Sequence, residues 1–175
     1  MPLRQTVAVV LISSIAACSS DASPNPVAPI KSSEEKSDHV ESAAATLRIR
    51  GTLETSETDI YVPETNSLLV HLIGTGVASQ LGRFTMVDDG VASLTTGIGT
   101  GNATYAAADG SSFTGAASGS GKILGDVAEL ADTLTITGGT GRFTGARGVL
   151  IVNRRLDFVT LLSFGSIEGA INFTK

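Results

Sequence analysis

From Thr46 onward the chain alternates. In "AELADTLTIT", Leu130, Leu134 and Ile136 fall on one side of an extended chain, while Glu129, Thr133, Thr135 and Thr137 fall on the other. That period of two is the mark of a half-buried strand. "ATLRIRGTL" behaves likewise, with Leu47, Ile49 and Leu53 opposite Arg48 and Arg50. No stretch longer than a turn carries a helical period, so the alternation predicts eight strands: 46–54, 67–78, 81–89, 97–107, 111–120, 128–138, 145–156 and 161–173. The connections are short and turn-like, for example "DDG" at Asp88 and "ADG" at Ala108. Consecutive antiparallel strands in a domain of this length close most economically into an all-β, up-and-down barrel, which leaves no free sheet edge.

"ARGVLIVN", Ala146 to Asn153, departs from that pattern because it is apolar on both faces. Leu150 and Val152 can fill a barrel, whereas Val149 and Ile151 must meet something outside it. Leu161 to Phe164 reads as a second such stretch. An exposed apolar stripe marks an interface, so self-association as a dimer or trimer is expected, with a folded-back N-terminal segment as the alternative cover.

All 20 glycines lie from Gly51 onward. "IGTGVAS" (73–79) and "IGTGNAT" (98–104) are near copies, and "GGTG" (138–141) is a third variant. Glycine weakens a strand, so its repetition points to bulges, sharp coiling or close backbone approach. The repeated "GRFT" fits that scheme. Phe84 and Phe143 are expected as large plugs beside glycines, with Arg83 and Arg142 on the opposite face. Glu168, in "GSIEGAI", is an isolated acid in an apolar strand, read as a salt-bridge partner or a pocket group. His71 in "LLVHLIG" is expected to be packed between Leu69 and Ile73.

The N-terminus reads as an address. Thr6 to Ala17 is nearly all apolar or small and too short for the ~20 residues of a membrane span, but it suits a signal-peptide core. It ends in "IAAC", which resembles a bacterial lipobox and implies that Cys18 becomes the lipidated N-terminus. An ordinary secretory signal with a chance cysteine is the alternative. By the same resemblance, Ser19 after the cysteine points to the outer membrane of the cell envelope. Residues 19–45 hold three of the five prolines and no glycine, and lack the apolar periodicity of a core, as a solvated tether does. His39 lies there. The expected organisation is therefore a lipoprotein signal peptide (1–17), a lipidated cysteine and linker (18–45) and a β-barrel (46–175).

Several chemistries have no foundation in the residues. Cys18 is the only cysteine, so no intramolecular disulfide can form. The domain has one histidine and no cysteine, too few for a metal cluster. "GAASGSGKI" lacks the first glycine and the hydroxyl of a phosphate loop, and no dinucleotide context surrounds "GIGTG", so no cofactor is implied. There is no nucleophile elbow. Basic residues form no stripe, which argues against nucleic acid.

"ITGGTGRFTGARG" (136–148) resembles the "GGTGxFxxARG" signature of plant dirigent proteins and, more loosely, the matching strand pair of allene oxide cyclases. The whole domain is similar to bacterial secreted proteins with an allene-oxide-cyclase-like barrel. The resemblance implies an eight-stranded antiparallel barrel, often trimeric, with a ligand inside it. It places Arg147 on the arginine of the signature; where many dirigents carry an acid near "GGT", this chain has Gly141 and Arg142. Three functions remain open on these grounds: a barrel that binds a small apolar molecule or a protein, a dirigent- or cyclase-type enzyme or guide, and a structural self-associating domain.

Overall fold

The structure, a computed structural model, describes residues 46–173. The signal segment, Cys18 and the linker with His39 lie outside the described residues. The fold is a closed antiparallel barrel in which each strand pairs with its sequence neighbours and the last returns to the first. Its strands are β1 (Thr46–Val62), β2 (Ser67–Ala78), β3 (Gly82–Ser93), β4 (Ile98–Ala107), β5 (Ser112–Leu124), β6 (Val127–Gly139), β7 (Ala146–Asp157) and β8 (Leu162–Phe173). A single 3-10 turn, Gly141–Phe143, separates β6 from β7. The strand pairs of the described residues close the barrel among themselves, around an apolar core.

Alternation decides what goes inside. Ile49 and Leu53 of β1, Leu134 and Ile136 of β6, Leu150 and Val152 of β7, and Ile167 and Ile171 of β8 are all buried. In β7 the outward pair is less hidden: Val149 is 46% exposed and Ile151 half-buried. In β8, Phe164 faces outward, while Ser163 is buried and its hydroxyl lies 2.5 Å from that of Thr55.

Three expectations need correction. "DDG" at Asp88 is not a turn, since β3 continues through it to Ser93 and the reversal comes at 94–97. Asp88 and Asp89 are paired on both sides, with Leu72 and His71 of β2 and with Ala103 and Asn102 of β4. A ladder on each flank holds extended a dipeptide that would turn if it had no partners. His71 is not packed either. It lies on the outer face, where its Nδ1 sits 2.7 Å from Asp89 Oδ1. Strand β1 also runs on to Val62, because the polar "ETSETDIYV" places Thr55, Glu57 and Asp59 toward the interior.

The hairpin turns fall at two ends, and the ends differ. At the end holding the β2–β3, β4–β5 and β6–β7 turns, four aromatic rings close the barrel. Phe84 lies 5.7 Å from Tyr105, Tyr105 stacks on Phe113 at 5.2 Å, and Phe113 meets Phe143 edge-on at 5.4 Å. Such pairs contribute about 0.5–1.5 kcal/mol each beyond the area they bury. The "GGTG" segment seats the last ring. Gly141 has φ +58°, a left-handed turn that favours glycine. A side chain at Gly139 would stand 2.6 Å from the carbonyl oxygens of Ser112 and Phe143. The opposite end is open.

Candidate functional site

The open half is a chamber of about 200 Å³. Along the wall built by β3, β4 and β5 its lining includes Gly90, Gly99, Gly101, Ala117, Gly119 and Gly121, and of these glycines Gly99 is the one where an added Cβ would meet nothing closer than 3.8 Å. On the facing strands, Leu68, Val70, Leu130 and Leu156 supply an apolar lining. A concave apolar space with a few polar groups is the usual form of a small-molecule site.

Those polar groups lie at the depth where the chamber meets the packed half. They are Glu57 and Asp59 of β1, Asp88 of β3, Asp132 of β6 and Arg154 of β7. Arg154 is paired with the Glu57 carboxylate and donates from Nε to Asp132 Oδ2 at 3.1 Å. Asp88 and Asp132 stand at the two edges of the stripped wall. A side chain at Gly101 would lie 2.8 Å from Asp88 Oδ1, and one at Gly119 would take the place of the Asp132 carboxylate. Glycine at these two positions is what lets the acids reach the cavity. Asp59 Oδ1 is buried with no hydrogen-bond donor on it among the described residues.

Four carboxylates and one guanidinium lining the same chamber cannot all ionise at low cost away from water. Burial, then the charge of Asp88, pushes Asp132 up to about 6. The Arg154 pair alone would lower it, but Arg154 is shared with Glu57. Asp88 is raised by burial and by Asp89 beside it, and Asp59 is raised by burial. Burial lowers Arg154 to about 10, so it remains charged at neutral pH. Beneath this layer the Tyr105 hydroxyl is raised by burial and by the acids Asp88 and Asp132. The floor therefore offers hydrogen-bond acceptors, together with one carboxyl that exchanges its proton near neutrality.

None of the candidate site residues read from the sequence lines this chamber. Phe84 and Phe143 are in the aromatic plug, as expected of them. Arg142 points outward, 3.1 Å from Asp109, with its guanidinium 4.8 Å above the Phe143 ring. Arg83 is exposed at the start of β3. Arg147 is exposed on β7 and donates from Nη1 to the Ala146 carbonyl at 2.7 Å. Glu168 is exposed on β8 across from Arg50. The groups that sequence reasoning missed share strand parity with the core: Asp132 lies between Leu130 and Leu134, and Arg154 between Val152 and Leu156.

No family model matches the sequence, and no curated protein does. Among solved structures, the chain is similar to the pterocarpan synthase dirigent protein GePTS1, at a TM-score of 0.55 and 16% identity, over 75% of this chain and 90% of that one. The fold is thus a dirigent-like, eight-stranded antiparallel β-barrel.

Proposed function

We propose that this protein is an envelope-anchored binding barrel that takes a small, largely apolar molecule through its open end. The observation that carries the reading is the glycine-walled chamber with a charged floor. Close packing is the rule in protein interiors, and the lower half of the same barrel obeys it. The upper half gives up that packing and holds five ionisable groups in its place. The floor suits a ligand with an apolar body and a hydroxyl or basic nitrogen that donates to Asp88, Asp132 or Asp59.

The lipobox-like "IAAC" supports an anchor on Cys18, and Ser19 after it supports the outer membrane. A Cys18→Ser form should then lose its lipid label and run as precursor or as soluble protein. Fractionation with membranes identical to the parent's would rule the anchor out.

The ligand itself is tested by native mass spectrometry of the barrel purified from its own cells. A bound small molecule that is released on unfolding, and is absent from Gly99→Leu, supports the reading. An empty barrel that takes up no apolar compound from a cell extract opposes it.

A second reading has one specific observation in its favour. An acid near pH 6 beside a second buried acid is equipped to give and take a proton, and the likeness to a dirigent protein fits a stereochemical guide. On that reading Asp132 and Asp88 act on the ligand instead of only orienting it. Conversion of the bound compound by the parent, lost in Asp132→Asn with binding retained, distinguishes the two.

A further inference from the structure

We propose that the chamber's ligand is a primary amine, whose ammonium group seats in a small void under the floor; this rests on the open half being a ligand chamber. The void measures about 20 Å³. It lies against the chamber, with which it shares Leu72, Asp88, Ala117, Asp132 and Arg154 as lining. Tyr105 of β4 and Thr55 of β1 line it as well. Space of that size admits one water-sized group.

The polar groups around this void are left unmet. Tyr105 is only 3% exposed, yet its hydroxyl has no hydrogen-bond partner among the described residues. That hydroxyl feels the charges of both Asp88 and Asp132, so it stands on the side of the void where those acids lie. Asp88 accepts no hydrogen bond among the described residues either, and Asp59 Oδ1 is buried without a donor. Thr55 is engaged with Ser163. Arg154, the one cation lining either space, is taken up by Glu57 and Asp132. Buried polar groups are hydrogen-bonded as a rule, so the missing donors fall to the occupant.

Size, donors and charge then select the head group. Water fits, but it brings no charge to four acids that face one guanidinium. Strands β2, β5 and β8 bring no titratable side chain to either space, so no other strand offsets the excess of acid. A hydroxyl has a single donor. A guanidinium is a planar fork too wide for a water-sized seat, and a quaternary ammonium has no N–H to give. A primary ammonium is close to water in size and carries both a charge and three donors. Those donors match Asp88, Asp132 and the Tyr105 oxygen, while the apolar body lies along Leu130 and Leu156. A cation between the acids favours their charged forms, so they give up protons to solvent as the amine enters.

Calorimetry on the purified full chain compares octylamine with 1-octanol, which share a body and differ in the head. Octylamine, like a lysine side chain, stays charged below about pH 10. At pH 7.5 the amine should bind at least tenfold more tightly than the alcohol. Lowering the pH to 5 should weaken the amine roughly tenfold, as Asp132, which titrates near 6, takes up its proton. Asp88→Asn leaves both Arg154 pairs in place and should bring the amine down to the alcohol's affinity. An alcohol that binds the parent as tightly as the amine overturns the proposal and leaves the chamber standing. So does amine binding that Asp88→Asn leaves intact. If neither compound binds the parent, the chamber reading falls and the proposal falls with it.

Discussion

The two halves of this barrel are made from the same eight strands, yet they solve opposite problems with nearly the same peptide. "IGTG" at 73–76 serves the closed half. There Gly76 faces the Phe84 ring and leaves no room for a side chain between that ring and the Thr52 carbonyl. "IGTG" at 98–101 serves the open half, where a Cβ added at Gly99 would meet nothing closer than 3.8 Å, an ordinary contact distance. One glycine is occupied space given to an aromatic; the other is space left empty. A glycine motif in a barrel therefore has no fixed meaning until the residue across from it is known.

The largest effect should come from the closed half. Phe113 is fully buried and touches both Tyr105 and Phe143, so Phe113→Ala should cost about 3–5 kcal/mol of stability in chemical denaturation. A loss under 1 kcal/mol would mean that the plug is not the barrel's anchor.

The next effect belongs to the open half and depends on pH. Asp132 titrates near 6 in the fold, above its unfolded value. The folded state therefore holds a proton that the unfolded chain releases between about pH 4 and 6. Stability present at pH 4 should fall as pH rises through that window, by roughly 3 kcal/mol from this group, and then level off. Asp88 and Asp59, raised in the same direction, act with the same sign. Asp132→Asn should flatten the slope and raise the melting temperature at pH 7. A variant with the parent's pH profile would place the linkage elsewhere.

Smaller still is the pair that compares the two motifs. Gly76→Ala should cost about 1–3 kcal/mol through overpacking against Phe84. Gly99→Leu should change stability by less than about 1 kcal/mol, because its Cβ stands 3.8 Å from its nearest neighbour at the chamber wall and a side chain improves strand propensity. Equal losses at the two positions would erase the distinction between occupied and empty glycines.

Most of the fold was legible from alternation, because a core on one face and water on the other leaves a period of two in the residues. The chamber was not, although its signal was present. Asp132 shares parity with Leu130, Leu134 and Ile136, and Arg154 with Leu150, Val152 and Leu156. Reading for apolar residues passes over a polar one on the core side. Glu57 and Asp59 were hidden for a second reason: their strand is polar enough past residue 54 to look like a loop. Asp88 was hidden by "DDG", a sequence that turns only when the ladder beside it allows. The arginines of "GRF" and "ARG" point away from the chamber: Arg83 and Arg147 are exposed on their strands and Arg142 on the 3-10 turn. Polarity at a core-parity position, and not proximity to a motif, was the mark of the site.

The central claim is that the open half is a ligand chamber, and a fluorescence titration tests it most directly. Residues 46–175 are titrated with an apolar naphthylamine probe, whose secondary amine can donate to the floor, in parallel with Gly99→Leu. The account predicts saturable, one-site binding by the parent and at least a tenfold loss in Gly99→Leu at unchanged stability. Binding that does not saturate, or that is equal in both proteins, would contradict it.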